Sequence, residues 1–171
     1  MDRYSLRRAG DGDAAAVAEL VHAAYEPHVR RIGMQPGPMS MDHAAVIRDE
    51  DVFVAELDGT IAGVVVLVVD DDDGFTIENV AVHPSQQAKG LGRALLAHAE
   101  SAAVRAGFDS VHLFTHELMT ENIALYSRIG YVEHDRRCHG TFSLVHMRKP
   151  VPSAVPRPDG TRDERRPGQL G

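Results

Sequence analysis

The chain of 171 residues has one cysteine, no tryptophan, four tyrosines and five phenylalanines. A lone Cys138 excludes an internal disulfide and any CxxC zinc pair, and it suits a reducing compartment. Long apolar runs are also missing. The longest, Ile61 to Val69, falls far short of the ~20 residues of a membrane-spanning helix. The opening MDRYSLRRAG is basic but has no apolar stretch behind it, so no signal peptide is expected and a cytoplasmic location is predicted. Positive charge is not in excess: 18 Lys and Arg stand against 25 Asp and Glu, a net charge of −7. That argues against nucleic acid as a chain-wide partner. Ten histidines invite a metal reading, but no HExxH occurs and His112 and His116 straddle a strand end, so no metal is expected.

What remains is ordinary globular material, 43% apolar and 25% charged, enough for one domain. Composition shifts once, near Pro150. Residues 150–171 hold five prolines, three glycines and only three Val or Leu, too little apolar surface to offset their ordering entropy. They are expected to form a flexible tail. Its Arg157, Arg162, Arg165 and Arg166 are nearly cancelled by Asp159, Asp163 and Glu164, so a solvated tail is the plainer reading than a basic arm.

Residues 1–149 alternate strand and helix signals. Tyr4–Arg8 reads as a short strand. Asp11 or Asp13 can cap a helix carrying Val17, Leu20, Val21 and Ala24, which Pro27 and the Gly33–Pro38 stretch should break. A short helix is predicted around Met41–Arg48. Three strands follow, Asp51–Leu57, Ile61–Val69 and Phe75–Val82, joined at Asp58-Gly59 and at Asp70–Gly74. The four aspartates lack the spacing of a calcium loop and read as a hairpin tip. A helix with Leu91, Ala94, Leu95, His98 and Ala102 on its buried stripe should end at Gly107. Ser110–Thr115 is a strand, Thr120–Ile129 a helix capped by Thr120, and Tyr131–Asp135 and Thr141–Met147 two closing strands. The expected class is α/β with a mixed sheet, because helical crossovers imply parallel neighbours and hairpins antiparallel ones.

The most informative stretch runs from Val80 to Leu96. An apolar strand ends at Val82-His83-Pro84, and a turn with Gly90 and Gly92 leads straight into a helix. Free N–H groups at a helix start, with the helix dipole behind them, suit an anion, and glycine lets a phosphate approach the backbone. Lys89 and Arg93 add charge at the rim. No Walker loop is present, and the third small residue of a dinucleotide fingerprint is missing.

The spacing Gln87-x-x-Gly90-x-Gly92 after that strand resembles the acetyl-CoA-binding motif of the GCN5-related N-acetyltransferases, the GNAT family. Glu121 to Tyr131 is similar to the family's C-terminal motif, in which an Asn precedes an A-x-x-Y-x-x-x-G-[FY] run. The resemblance covers residues 3–149. It implies a single-domain fold in which the fourth and fifth strands, Phe75–Val82 and Ser110–Thr115, splay apart to admit the pantetheine arm of acetyl-CoA. It also implies contacts from the Val80, Ala81 and Val82 stretch to that arm, with the diphosphate on N–H groups of Gln87, Ala88, Lys89, Gly90, Leu91, Gly92 and Arg93. Asn122 would hold the arm or orient the thioester. Tyr126, one helical turn on, would donate to the departing thiolate. The reaction implied is direct acetyl transfer to a primary amine in a ternary complex, with a backbone N–H near Val82 steadying the oxyanion.

The attacking amine needs a base. Glu78 is the first candidate, acting directly or through a water, with His116 and Glu117 as alternatives. Strict alternation puts Glu78 on the face of Val80 and Val82, unless a bulge intervenes. Cys138 matches no role in the family, although Arg136 and Arg137 beside it would favour its thiolate. The expected acceptor is a small-molecule amine. A protein or peptide amine, or a non-catalytic acyl-CoA-binding module, are the other readings. Tyr25–Met41, the loop before Met119 and the hairpin at His139-Gly140 are expected to meet the acceptor. There Arg30, Arg31, Arg136 and Arg137 either attract an anion or simply solvate the surface. Family members are often dimers, so the resemblance also allows a homodimer.

Overall fold

The computed structural model describes residues 4–152. The expected tail from residue 153 onward lies outside the described residues. Pro150 closes the last strand, and Val151 is buried with its N–H bonded to Asp109 O at 2.9 Å, so these two positions join the sheet rather than the tail.

The chain runs β1 (Ser5–Arg8), α1 (Ala14–Ile32), α2 (His43–Asp49), β2 (Asp51–Leu57), β3 (Thr60–Asp70), β4 (Gly74–Val82), α3 (Leu91–Arg105), β5 (Ser110–His116), α4 (Thr120–Arg128), β6 (Val132–His139) and β7 (Phe142–Pro150). The strands form one sheet in the order β1-β2-β3-β4-β5-β7-β6. Every neighbouring pair is antiparallel except β4–β5, which is parallel. That junction is also the shortest. It pairs only Thr76 with His112 and Ile77 with Leu113.

Central β3 is apolar on both faces, as its β-branched run requires. Val64 and Val66 pack with Val17, Leu20 and Val21 of α1. Val65 and Leu67 pack with Leu91, Leu95 and Ala99 of α3. The sheet is thus sandwiched between α1 with α2 on one side and α3 on the other. Gly63 permits the α3 contact: a Cβ there would stand 2.9 Å from Leu95 Cδ1 and 3.3 Å from Leu91 Cδ2.

Three local expectations need correction. First, α1 runs through Pro27 to Ile32 and stops at Gly33, whose φ is 76°. Proline removes one intrahelical donor, but four buried side chains already anchor the helix, so the local loss does not end it. Second, neither Asp13 nor Thr120 caps by its side chain. Asp13 instead accepts from Gly10 N–H at 2.8 Å and pairs with Arg7 at 2.7 Å. Third, the buried stripe of α3 is Leu91, Leu95, Leu96, Ala99 and Ala103. Ala94, His98 and Ala102 lie on its margin, with the His98 ring edge-on to Phe53 at 4.4 Å. The acidic hairpin tip is held by its own chain. Asp70 Oδ1 accepts Asp72 and Asp73 N–H, and Asp73 takes a bidentate pair from Arg137 of β6.

Candidate active site

The site begins with a fault in the β3–β4 ladder. Val66 pairs with Asn79 and Leu67 with Ile77, leaving Glu78 without a partner. This is a bulge, and a bulge re-aims side chains. Ile77, Val80 and Val82 all turn toward the α3-side core, whereas Asn79 meets Tyr25 of α1. Glu78 therefore leaves the face of Val80 and Val82 that simple alternation would give it. It is half-buried, and burial, with Glu50 and Asp70 nearby, raises its carboxyl above the ordinary range.

Beyond Ile77 and Leu113 the parallel strands share no further pairing. His83 N–H donates to Ala62 O at 2.9 Å, so that residue faces β3. Alternate residues of an antiparallel ladder turn their main-chain groups to the same edge. Ala81 therefore also faces β3, opposite Val64, with its side chain in the α1-side core. Val80 and Val82 turn their N–H and C=O to the opposite edge, into the gap toward β5. Of the three residues expected to meet a cofactor arm there, Ala81 is the one whose main chain points away.

The turn after β4 is held by two left-handed residues, Ala88 (φ 59°) and Gly90 (φ 89°). Glycine adopts that conformation freely, whereas alanine pays about 1–2 kcal/mol for it. Gln87 Nε2 donates to Val82 O at 3.1 Å, and Lys89 Nζ to Ser85 O at 2.8 Å. The first helical bond of α3 runs from Ala94 N–H to Gly90 O at 3.0 Å. The N–H groups of Leu91, Gly92 and Arg93 precede it and point out of the helix end, beside the exposed Arg93.

On the other side of the gap, α4 presents Asn122 and Tyr126 to one cavity of about 300 Å³ that Glu78, Asn79 and Val80 also line. Tyr126 is 6% exposed. Burial pushes its phenol up to about 12, so it keeps its proton at neutral pH. Asn122 makes a local main-chain bond, N–H to Met119 O at 3.1 Å, while its side chain lines the cavity.

The alternative bases separate on geometry. Glu117 Oε1 accepts Ser143 N–H at 2.9 Å, and Glu117 is not among the cavity's lining residues. His116 does line it, but its Nδ1 accepts Leu118 N–H at 3.1 Å. The neutral ring then carries its proton on Nε2, which is a donor and cannot take a proton. Further parts of the cavity wall come from the Tyr25–Met41 stretch, Met119, Phe142 and Leu144, so the closing hairpin contributes its second strand to the lining rather than the His139-Gly140 tip. Arg31 pairs with Glu121, Arg136 with Glu133, and Arg137 with Asp73 and Asp135. Asn79, which sequence reasoning missed, lines the cavity beside Tyr25, the first residue of the stretch expected to meet the acceptor. Tyr25 O–H donates to Asn79 Oδ1 at 2.7 Å, and burial raises the Tyr25 phenol strongly. The available signal was a polar Asn79 at every-second-residue spacing between the apolar Ile77 and Ala81.

The sequence model described as the acetyltransferase (GNAT) family matches residues 15–131, more than half of the chain. The chain belongs to the GNAT family. The matched span of this GNAT protein takes in the Gln87–Gly92 turn, together with the bulged strand and the Glu121–Tyr131 segment, which both contribute to the cavity lining. No curated protein matches it by sequence. Solved structures share the fold. The PaiA N-acetyltransferase of Thermoplasma acidophilum, in complex with coenzyme A, superposes with a TM-score of 0.72 at 16% identity, covering 86% of this chain and 98% of that one. A GNAT family acetyltransferase of Elizabethkingia anophelis with acetyl-CoA bound gives 0.67 at 17%, covering 88% and 100%. The ribosomal-protein-S18-alanine N-acetyltransferase of Escherichia coli gives 0.67 at 23%, covering 89% and 96%.

Proposed function

We propose that this GNAT protein transfers an acetyl group from acetyl-CoA directly to a primary amine of a small molecule, in a ternary complex. One observation carries the reading: the bulge at Glu78 and the first turns of α4 bring a carboxylate and a buried, protonated phenol into the same cavity, at the mouth of the unpaired β4–β5 gap. The chain has the parts that acetyl-CoA needs. Val80 and Val82 offer main-chain groups to a pantetheine arm, as an added strand would. The helix start at Leu91–Arg93 offers donors to a diphosphate. Acetyl-CoA, once bound, supplies an activated acyl group on a thioester.

The roles of the protein's own groups follow from their acidities. A free thiol has pKa ~8.5, well below the Tyr126 phenol at about 12. Complete proton transfer from the phenol to the sulfur is therefore uphill. Tyr126 acts by donating a hydrogen bond that strengthens as charge develops on the sulfur. Glu78, the one acidic side chain among the described lining residues, attracts the ammonium and accepts its proton, directly or through a water. Asn122 helps to position the thioester. A cavity of this size suits a small acceptor held in a fixed pose.

The test is calorimetry with coenzyme A, followed by thiol release from acetyl-CoA across a panel of amines and a lysine peptide. Binding with turnover on a small amine supports the reading. Binding with no turnover on any amine identifies a non-catalytic acyl-CoA-binding module, and turnover on the peptide alone identifies a protein acetyltransferase.

A further inference from the structure

The acceptor end of the cavity has a particular chemistry. Its wall is apolar, with Ile32, Met34, Pro36, Met41, Phe142 and Leu144. Among the described residues no lysine or arginine lines it, and the one carboxylate is Glu78. The arginines that sequence reasoning weighed as anion attractors are paired elsewhere, in the cases of Arg31, Arg136 and Arg137. A carboxylate brought into this space would meet Glu78 and find no lysine or arginine among the described lining residues, and a buried unpaired charge is costly.

Two of the lining residues nevertheless hold buried donors with no partner. Asn79 is 4% exposed, and its Nδ2 is buried without a partner. The Tyr25 hydroxyl holds Oδ1 at 2.7 Å, which fixes the amide with its N–H groups turned the other way. From β5, the His116 Nε2 is likewise buried without a partner. The Leu118 N–H on Nδ1 fixes its tautomer as a donor, and the ring stacks on Phe142 at 5.1 Å. Buried donors left unsatisfied cost stability, and a bound group that completes them recovers it.

We propose that the acceptor substrate of this site is an apolar primary amine that carries a neutral oxygen acceptor, such as an amide carbonyl, and no carboxylate, with Asn79 Nδ2 and His116 Nε2 as the donors to that oxygen. The inference rests on the acetyltransferase reading above and adds the acceptor class to it. Tyr25 is the positioning residue: it touches no substrate in this account but holds Oδ1 of the Asn79 amide and so leaves Nδ2 as the end free to donate.

The test uses benzylamines with a carboxamide, a methyl or a carboxylate at the meta or para position, so that the reacting amine stays nearly constant. In the full chain, the better carboxamide isomer should exceed the methyl compound about tenfold in kcat/KM, the order of one satisfied hydrogen bond. It should exceed the carboxylate by about 10²-fold or more. The advantage over the methyl compound should fall in Tyr25→Phe and disappear in the double variant Tyr25→Phe with Asn79→Leu, which removes both partners together. Thermal melting checks that each variant is folded. If the double variant does not fold, Tyr25→Phe alone decides, because a freed amide must weaken the preference. Equal use of carboxylate and carboxamide, or an unchanged preference in the folded variants, overturns the proposal. Calorimetry with coenzyme A and the amine panel on the same samples separate the two levels: no binding, or binding with no turnover on any amine, means that the acetyltransferase reading has failed, whereas turnover on another amine with no benzylamine acetylated means that only the acceptor class has.

Discussion

Asn122 and Tyr126 stand one helical turn apart on α4 and reach the same cavity, and Tyr126 does so from within the core, where it meets the Tyr131 ring edge-on at 6.1 Å. A phenol held this way has little freedom to leave its place. Tyr126→Phe keeps the packing and removes only the hydroxyl. The variant should lose about 10²–10³-fold in kcat, with coenzyme A affinity nearly unchanged. Steady-state kinetics beside calorimetry checks this, and an unchanged kcat removes Tyr126 from the chemistry.

Glu78 makes a prediction that runs in opposite directions for rate and stability. Burial raises its carboxyl, so the folded protein holds that proton more tightly than the unfolded chain. The favourable contribution is complete below the ordinary carboxylate pKa, and it is lost as pH rises through the raised value. Glu78→Gln should therefore match the wild type in Tm near pH 4 and exceed it increasingly toward neutral pH. Its kcat should fall, and the acid limb of the pH–rate profile should flatten. A Tm difference that does not change with pH contradicts the burial argument.

Gly63→Ala tests how the sheet carries the turn. Its Cβ would press on Leu95 and Leu91, and Leu95 is fully buried and cannot swing clear. Overpacking of this kind costs about 1–3 kcal/mol. Because Leu91 opens α3, coenzyme A affinity should weaken together with stability. Denaturant melts and calorimetry measure both, and a loss of stability with full affinity would uncouple them.

Gly90→Ala acts on the turn alone. No atom lies within 4 Å of its Cβ position, so the cost is the left-handed backbone, about 1–2 kcal/mol. The substitution should weaken coenzyme A binding while leaving the core intact. Replacing Ala88 by glycine, at φ 59°, should instead raise Tm.

The order of strands and helices was legible because most elements show an apolar pattern bounded by turn residues, the polar, exposed β6 excepted. β2 matches its expected bounds residue for residue, β4 and β5 differ by one residue at one end, and β3 by one residue at each end. The Gln87–Gly92 turn and the Asn122–Tyr126 pair were legible because glycines and helical spacing are local signals. What escaped depends on two segments at once. Pro27 reads as a break in isolation, but burial along α1 outweighs it. The bulge at Glu78 exists only in the register between β3 and β4, and so does the turning of Asn79 toward Tyr25. No property of either strand alone specifies that offset.

The most direct test of the account is a crystal structure of the protein with acetyl-CoA. The account predicts the diphosphate against the N–H groups of the Gln87–Arg93 turn, the pantetheine arm on the main chain of Val80 and Val82, and the thioester sulfur within hydrogen-bond reach of the Tyr126 hydroxyl. A cofactor bound outside the β4–β5 gap, or a sulfur with Tyr126 turned away from it, would contradict it.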